Sequence, residues 1–366
     1  MSLSVGIVGL PNVGKSTLFN ALTRNEALMA NYPFATIDPS VGVVPVPDPR
    51  LATLSELSGS AETIPAVVEF VDIAGLVRGA SAGEGLGNKF LANIRETDLI
   101  AEVVRIFDDE DIHHVAGAVD PMGDIETINL ELIMADAETM SKRLTSVERE
   151  AKRGEKAAVA EKALLERLLS HLEAGQLANR FQRSDEETKL IKGLHLLTMK
   201  PFLYVCNKKQ GAYNFDEQND ERWQELVAFF NESGSEYVIV DAGTEHELKD
   251  LDDTEKNEFR REYGGQNSGV EDLIRAAYHK LGLMSFYTTG EKETRAWTIA
   301  QGSTAPEAGA AIHTDFRDKF IRAQVVGFGD LIEAGSKATA REQGKLRTEG
   351  KEYLVQDGDV IEFLHS

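Results

Sequence analysis

The fold is decided near the start of the chain by Gly9-Leu10-Pro11-Asn12-Val13-Gly14-Lys15-Ser16, which fits the pattern G-x-x-x-x-G-K-[ST]. Residues 4–8 before it predict a buried strand, and residues 17–22 after it predict the start of a helix. A glycine-rich turn in this context lets successive backbone N–H groups point inward at an anion. The stretch therefore predicts the phosphate-binding loop of an α/β P-loop fold, with a mostly parallel sheet and helices on both faces.

The chemistry of this loop assigns roles to its side chains. Lys15 would neutralise the β- and γ-phosphate oxygens of a nucleoside triphosphate, which makes it a predicted catalytic residue, and the Ser16 hydroxyl would ligate Mg²⁺. The partial positive charge at the start of the following helix adds to the attraction for phosphate. The nucleotide contacts predicted from the loop are Asn12, Val13, Gly14, Lys15, Ser16 and Thr17.

Composition limits the class of protein. The chain has 366 residues, enough for two or three domains, and its hydrophobic fraction of 42% is ordinary for a globular protein. No apolar run approaches the about 20 residues that cross a bilayer, and the N-terminus enters a strand directly, so we expect neither a signal peptide nor a membrane partner. The net charge of −22 disfavours broad non-specific binding to nucleic acid. The single cysteine, Cys206, suits a reducing cytoplasm, and its apolar strand favours a buried residue over a redox role.

Two further segments have the features of nucleotide switches. The loop 31–39 contains two prolines and Thr36, a threonine of the kind that closes over Mg²⁺ when a γ-phosphate is present. Residues 67–75 predict a strand that runs into the pattern D-x-x-G. Asp72 would hold Mg²⁺ through water, and the Gly75 N–H would bond to the γ-phosphate. The predicted metal ligands are Ser16, Thr36 and Asp72.

The residue after Gly75 bears on hydrolysis. Many switch NTPases place a glutamine there to orient the attacking water, but this chain has Leu76, which has no hydrogen-bonding side chain. Either hydrolysis is slow or another group contacts the water. The acidic stretch 108–111 leads to His113 and His114, and a histidine in that loop could position or deprotonate water. The alternative is a histidine in a solvated loop.

Residues 126–198 have a different, helical character. Apolar residues from Leu130 to Ala151 recur in steps of three and four, the heptad pattern of a coiled coil. Gly154 permits a turn, leucines over 164–172 predict a returning helix, and Ser184 with Glu187 predicts a capping box for a third helix. Basic residues gather at the far end of this hairpin: Lys142, Arg143, Arg149, Lys152, Arg153 and Lys156. Two interpretations of them stay open, a solvated tip and a contact with RNA.

The predicted strand 202–206 ends in Asn207-Lys208-Lys209-Gln210, where guanine-specific proteins carry N-K-x-D. The aspartate of that motif accepts two hydrogen bonds from guanine, and a neutral glutamine cannot accept both. A site built for such a pair discriminates strongly between bases, so its loss should relax guanine preference. The predicted base contacts are Asn207, Lys208 and Gln210, together with Asp241, Ala242 and Gly243 after the last strand.

The C-terminal residues, from 283 onward, change character again. Short alternating stretches predict strands near 295–299, 320–325, 353–355 and 360–364, and 357–359 predicts a hairpin turn. We expect a small β-grasp-like domain here. It is predicted to bind a partner, because no catalytic constellation lies within it.

These motifs closely resemble those of the YchF subfamily of Obg-like P-loop NTPases, and the resemblance runs along the whole chain. The segments that carry it are GIVGLPNVGKSTLFNAL (6–22), NYPF (31–34), VDIAGLV (71–77), GEGLGN (83–88), RAWT (295–298), IHTDF (312–316) and FIRA (320–323). The resemblance implies a nucleotide domain in two parts, 1–125 and 199–282. A helical coiled-coil insertion, 126–198, would interrupt it, and a TGS domain, 283–366, would follow. The family usually has N-x-x-E where this chain ends the motif with Gln210.

The resemblance also implies an activity. It implies Mg²⁺-dependent hydrolysis of ATP at least as readily as of GTP, with Leu76 in place of the usual glutamine and His114 in its role. It implies a cytoplasmic protein that associates with the ribosome, in particular the large subunit, in translation or stress regulation, with RNA contacts through the coiled-coil and TGS domains. Two other hypotheses stay open. One is a scaffold protein gated by nucleotide with incidental hydrolysis, and the other is a guanine-specific GTPase.

Overall fold

The computed structural model describes residues 3–23, 40–73, 86–109, 118–248, 251, 255–256, 259 and 269–365. Contacts between residues divide the chain into two compact units. The first unit comprises Met1–Gly42 and Glu69–Leu273, and the second comprises Val43–Val68 and Ile274–Ser366. None of the helices in the described ranges is long and apolar enough to cross a membrane.

A mostly parallel sheet of six described strands carries the phosphate loop. In spatial order its strands are Val41–Pro45 (β2), Val67–Asp72 (β4), Ser4–Val8 (β1), Leu99–Arg105 (β5), Phe202–Asn207 (β7) and Glu236–Val240 (β9). Neighbours from β4 to β9 pair in parallel, whereas β2 runs antiparallel to β4, because Ser40 bonds to Asp72 and Val46 bonds to Ala66. Strands β5 and β7 are buried along their whole length, as expected for central parallel strands. The predicted P-loop α/β sheet is confirmed.

Five described helices accompany these strands in the sequence. They are Lys15–Leu22 (α1), Leu86–Glu96 (α3), Glu221–Ser233 (α7), Ala242–Glu247 (α8) and Gly269–Lys280 (α9). Asp220 caps the start of α7 by accepting from Arg222 N, and Gly234, at φ 61°, ends it. Within the first unit, Phe107–Asp108 (β6) and Tyr213–Asn214 (β8) pair antiparallel as a short two-stranded ribbon.

The helical insertion is built on two helices that pack against each other, Pro121–Ala151 (α4) and Lys156–Glu173 (α5). Gly154, at φ 81°, makes the predicted turn between them. The third helix, Asp185–Lys192 (α6), starts at the predicted capping box: Glu187 N donates to Ser184 Oγ and Ser184 N donates to Glu187 Oε2. Two 3₁₀ turns complete the segment, Ala178–Arg180 and Leu197–Met199.

The buried stripe of α4 differs from the predicted heptad seam. Leu130, predicted to lie in the seam, is 56% exposed, and Leu132 is fully buried instead. Asp136 also lies in the buried stripe, where its carboxylate accepts from Leu197 N and Thr198 N, both at 2.8 Å. The buried face of α4 thus includes a contact with the 3₁₀ turn Leu197–Met199, about 60 residues later in the sequence. A heptad pattern does not predict this contact.

The second unit contains a mixed sheet of six described strands. In spatial order they are Arg347–Glu349 (β13), Phe320–Gly327 (β12), Asp359–His365 (β14), Leu283–Thr289 (β10), Glu293–Ala300 (β11) and Glu62–Ile64 (β3). Its helices are Pro49–Ser58 (α2), Ala305–Ala310 (α10), Thr314–Asp318 (α11), Phe328–Ala334 (α12) and Lys337–Glu342 (α13). The core of the unit forms around Phe286, Phe320 and Phe363. The predicted strand at 353–355 is wrong: only an isolated bridge joins Leu354 to Thr304.

Residues 43–68 belong to this second unit although they precede most of the first in sequence. Strand β3 pairs in parallel with β11 along Glu293–Arg295. Arg50 Nη1 donates to Asp357 Oδ2 at 2.7 Å, and the Tyr287 hydroxyl donates to Asp48. The domain boundaries predicted from the sequence keep residues 43–68 with the rest of 1–125. The residues that this segment contacts lie more than 200 positions later in the chain, so no local pattern assigns it to the second unit.

Candidate functional site

The phosphate loop lies between β1 and α1. Two of its residues have positive φ angles, Asn12 at 66° and Gly14 at 96°, in the left-handed region that glycine adopts at little cost. A Cβ atom at Gly14 would lie 2.2 Å from Asn207 Nδ2, and one at Gly9 would lie 2.9 Å from Val103 O. A side chain at Gly9 or Gly14 would therefore clash with a neighbouring atom. At Gly14 the positive φ angle is a second reason for glycine.

Lys15 and Asp72 meet at this loop. Lys15 Nζ donates to Asp72 Oδ1 at 2.7 Å, and the two side chains are 10% and 24% exposed. Lys15 begins α1 and Asp72 ends β4, and the parallel register pairs Ile7 with Asp72. Because the carboxyl ends of parallel strands share one edge of the sheet, the structure brings the predicted phosphate-binding cation and the predicted metal-supporting carboxylate together.

The other residues of the loop differ in exposure. Val13 is fully buried, Thr17 is half-buried and Ser16 is exposed in the first turn of α1. The Ser16 hydroxyl and the Asp72 carboxylate supply oxygen ligands, which Mg²⁺ prefers, so these residues fit that ion. Within the described ranges no group of three or more His, Cys, Asp or Glu side chains could hold a metal by itself.

Asn207 joins the phosphate loop to the base-reading end of the site. It is only 4% exposed. Its Nδ2 donates to Val13 O at 2.8 Å, and its Oδ1 accepts from Ala242 N at 3.0 Å. One amide thus holds the phosphate loop and the start of α8 to the end of β7.

The side chain of Asp241 organises the loop that was predicted to contact the base. Its Oδ2 accepts from Gln210 N at 2.7 Å, and its Oδ1 accepts from Thr244 N at 2.9 Å, which caps α8. The Thr244 hydroxyl also bonds to Gln210 Oε1 at 3.2 Å. Gln210 is therefore held from both its backbone and its side chain by residues that follow β9.

Lys208 and the residues after Asp241 were also predicted base contacts. Lys208 Nζ donates to Glu217 Oε1 at 2.8 Å. Burial opposes the charge on Lys208, but the bond to Glu217 leaves the pKa of Lys208 above its ordinary value. Ala242 and Gly243 form the first turn of α8 rather than an irregular loop. Their role as base contacts stays a prediction.

Comparisons with known proteins place these features in one family. A family model described as 50S ribosome-binding GTPase matches residues 4–135, and a YchF GTPase C-terminal model, described as a protein of unknown function, matches residues 283–366. A protein from Bacillus subtilis named ribosome-binding ATPase YchF is 52% identical, and the match covers 99% of both chains. The chain belongs to the YchF family.

Other members of the YchF family agree over the same length. The ribosome-binding ATPase YchF of Escherichia coli O157:H7 is 49% identical over 100% of this chain and 99% of its own. The solved structure of the Schizosaccharomyces pombe YchF GTPase superposes with a TM-score of 0.89 at 36% identity, covering 99% of this chain and 98% of that one. The whole chain, including its second unit, therefore shares the fold of the YchF family.

Several predicted site residues lie outside the described residues. They are Thr36, Gly75, Leu76, His113 and His114. The structure brings together Lys15, Asp72, Asn207 and Gln210 from three separate stretches of sequence, and it leaves the switch threonine and the histidines as predictions.

Sequence reasoning missed a buried polar group on β5, the strand between β1 and β7. Glu102, on β5, is 0% exposed, and no described residue bonds to its carboxyl oxygens. Burial, with a smaller contribution from the charge of Asp124, raises the pKa of Glu102 well above its ordinary value. Its register neighbours are Val8 on β1 and Tyr204 on β7. The signal available in the sequence was a glutamate between the apolar runs Leu99-Ile100-Ala101 and Val103-Val104.

Cys206 behaves as predicted for a buried residue. Its thiol is 0% exposed within β7, and burial raises the pKa of the thiol, with the Asp216 charge adding to the shift. A thiol that is both buried and protonated is a poor nucleophile. The prediction of a structural rather than a redox role is consistent with this environment.

Proposed function

We propose that this chain is a Mg²⁺-dependent nucleoside triphosphatase that hydrolyses ATP, and GTP less readily, and associates with the ribosome. The observation that carries the proposal is the 2.7 Å contact of Lys15 Nζ with Asp72 Oδ1 at the glycine-rich loop between β1 and α1. The full-length YchF relatives named ribosome-binding ATPase support the substrate and the partner. The chain is in this sense a P-loop nucleotide hydrolase of the YchF family.

Hydrolysis would depend on charge stabilisation by the phosphate loop. Backbone N–H groups of the loop and the Lys15 ammonium would surround the β- and γ-phosphate oxygens, where negative charge shifts during attack by water. Lys15 is 10% exposed, so its charge acts in a partly desolvated setting where it is stronger than in bulk water. Asp72 already contacts Lys15 and would keep the ammonium aligned with the phosphates.

Ser16, Thr36 and Asp72 would hold the metal, the last through water. When bound, Mg²⁺ would neutralise charge on the β- and γ-phosphates. Ser16 and Asp72 supply oxygen donors at the mouth of the loop, and Thr36 would close over the ion from the 31–39 loop.

His114 would position the attacking water, because Leu76 stands where related switch proteins carry glutamine. We expect intrinsic turnover to be slow, since no arginine finger is evident in the sequence. His114→Ala should then lower turnover without changing nucleotide affinity.

Base preference follows from Gln210. Its neutral amide cannot accept both hydrogen bonds from guanine, and its Oε1 already bonds to Thr244. ATP should therefore bind as tightly as GTP or more tightly, which disfavours a guanine-specific GTPase.

Ribosome contact would involve the helical insertion, as a coiled coil, and the C-terminal unit, as a TGS domain. At the tip of the insertion Lys142 pairs with Glu138, Arg143 with Glu161 and Lys152 with Glu148. The other basic residues of the tip are exposed and make no ion pair with any described residue: Arg149, Arg153 and Lys156. These three charges favour an RNA contact on the large subunit, in the cytoplasm.

Phosphate release from ATP and from GTP tests the activity, measured with Mg²⁺ or with excess EDTA and with or without purified 50S subunits. We expect Mg²⁺-dependent release that is faster for ATP. Co-sedimentation with ribosomes in ATP, ADP and a non-hydrolysable analogue tests the switch. Release that is absent with ATP would contradict the activity, and equal ribosome affinity in all three nucleotides would contradict a nucleotide switch.

A further inference from the structure

A groove lies between the first turns of α4 and helix α7, and all the residues that line it belong to the first unit. Its apolar lining includes Ile125, which is 1% exposed, and Ile133 and Leu177, which are each 5% exposed. The half-buried ring of Phe229 on α7 forms part of its wall. The groove has a volume of about 410 Å³, within the range of about 300–1,000 Å³ that is typical of ligand pockets. We name it the α4–α7 groove.

The apolar surface of α4 continues from this groove toward solvent. Leu130, which lines the groove, is 56% exposed, and Met134, about one turn further along α4, is 52% exposed. Residues four apart lie on the same face of a helix, so Leu130 and Met134 extend the apolar lining as a strip. Apolar side chains at such spacing, bordered by a groove between two helices, are typical of a surface that binds an amphipathic helix.

Carboxylates dominate the charge around the α4–α7 groove. Glu126 lines the groove and is exposed. Glu225 and Glu232, both exposed, lie four residues before and three residues after Phe229, so they share its side of α7. None of the three makes an ion pair with a residue in the described ranges. Arg180 is the one cation among the described lining residues, and its guanidinium carbon lies 5.7 Å from the centre of the Phe229 ring.

We propose that the α4–α7 groove binds a basic amphipathic helix of a partner protein. Apolar side chains of that helix enter the groove beside Leu130 and Met134, and its lysine or arginine side chains meet Glu126, Glu225 and Glu232. The same carboxylates repel phosphate, which disfavours RNA as the occupant. The groove therefore differs in its partner from the basic tip of the insertion, and it is a second binding surface beyond the proposed function.

A model peptide tests the groove in the absence of nucleotide and ribosomes, so the result is separate from that of the proposed function. The probe is a fluorescently labelled helical peptide of leucine and lysine, about 14 residues or four turns long. A companion peptide has glutamate in place of every lysine. Fluorescence anisotropy with the full chain in about 150 mM salt measures both affinities.

We expect the leucine–lysine peptide to bind at least about tenfold more tightly than the leucine–glutamate peptide, because the groove is bordered by carboxylates. Equal affinities for the two peptides would overturn the proposal. No binding of the leucine–lysine peptide at concentrations up to about 1 mM would overturn it as well.

The double variant Leu130→Ser, Met134→Ser tests the apolar strip. Both side chains are more than half exposed, so the variant should keep the melting temperature of the wild type. Its affinity for the leucine–lysine peptide should fall about tenfold. The matched control is Leu190→Ser on α6, where the leucine is 47% exposed, and it should bind within about twofold of the wild type. Equal affinities of the double variant and the wild type would overturn the proposal, because net charge alone would then hold the peptide.

Glu126→Gln tests the charge around the groove and keeps the size of the side chain. We expect affinity for the leucine–lysine peptide to fall about threefold and to depend less on salt. Glu186→Gln, at an exposed glutamate on α6, changes the net charge equally and should bind as the wild type does. Equal losses in these two variants would overturn the role of the groove carboxylates.

A labelled single-stranded RNA oligonucleotide tests the other class of partner on the same proteins. We expect the double variant Leu130→Ser, Met134→Ser to bind this RNA as the wild type does. RNA binding that the double variant loses would assign the groove to nucleic acid and overturn the proposal.

Discussion

The two ends of the candidate nucleotide site are built in different ways. The phosphate end comes from one continuous loop, 9–16, completed by a single ion pair with Asp72. The base end is assembled from the ends of β5, β7 and β9 and is held by side-chain amides and carboxylates, chiefly Asn207, Asn214 and Asp241.

This difference separates the part of the site that depends on local backbone geometry from the part that depends on the identity of particular side chains. Backbone N–H groups bind any triphosphate, so the phosphate end needs little beyond glycines and a lysine. The base end depends on particular side chains, and there the chain has Gln210 in place of a carboxylate. Changes at the phosphate end should abolish binding, whereas changes at the base end should alter preference.

The largest effect is expected at the phosphate end. Lys15→Met removes an ammonium whose bonds to charged groups contribute about 1.5–3 kcal/mol each, so affinity for both ATP and GTP should fall about 100-fold. Calorimetric titration in Mg²⁺ buffer measures this. Lys142→Met, at an exposed lysine paired only with Glu138, is the control and should bind as the wild type does. Equal nucleotide affinities of Lys15→Met and wild type would show that Lys15 of the phosphate loop does not bind the nucleotide.

A smaller effect is expected at the base end. Gln210→Asp restores an acceptor for two guanine hydrogen bonds, so the affinity for GTP relative to ATP should rise about tenfold. Titration with both nucleotides gives the ratio. Gln210→Ala is the control, because it removes the amide without adding a carboxylate. A ratio that is the same in all three proteins would show that this position does not contact the base.

The smallest effect on nucleotide binding is expected for Glu102, which lies on β5 between the strands leading to the two ends. Its pKa is raised in the folded state above the ordinary 4.5, so the folded state binds the proton more tightly than the unfolded state. Its contribution to stability is therefore present below about pH 4.5 and is lost as pH rises toward the folded pKa. Between pH 5 and pH 8 the melting temperature of Glu102→Gln should fall less than that of the wild type.

The control for this experiment is Glu126→Gln, at an exposed position on α4. Its melting temperature should follow the wild type at every pH. Parallel curves for Glu102→Gln and wild type would mean that Glu102 is not held protonated in the folded protein. Nucleotide affinity of Glu102→Gln should stay within about twofold of the wild type, since no described residue hydrogen-bonds to the Glu102 carboxyl group.

Local patterns predicted much of the fold, and contacts between distant segments account for the differences. The phosphate loop, the Gly154 turn and the Ser184 capping box depend on neighbouring residues, and the structure shows all three. The exposure of Leu130 and the burial of Asp136 depend on the 3₁₀ turn 197–199, which no heptad pattern contains. At the site, Lys15 and Asp72 followed from motifs, but the pairing of residues 107–108 with 213–214 joins distant segments and has no motif.

The assignment of residues 43–68 to the second unit has a consequence for synthesis. Helix α2 and strand β3 leave the ribosome more than 200 residues before β10 and β11, the strands they contact. At roughly 5–20 residues per second, translation of the intervening chain takes roughly 10–40 seconds. During that time the edge strand β3 and helix α2, which buries Leu51 and Leu54, lack the strands β10 and β11, so a nascent chain paused in this interval is the form most exposed to chaperones and proteases.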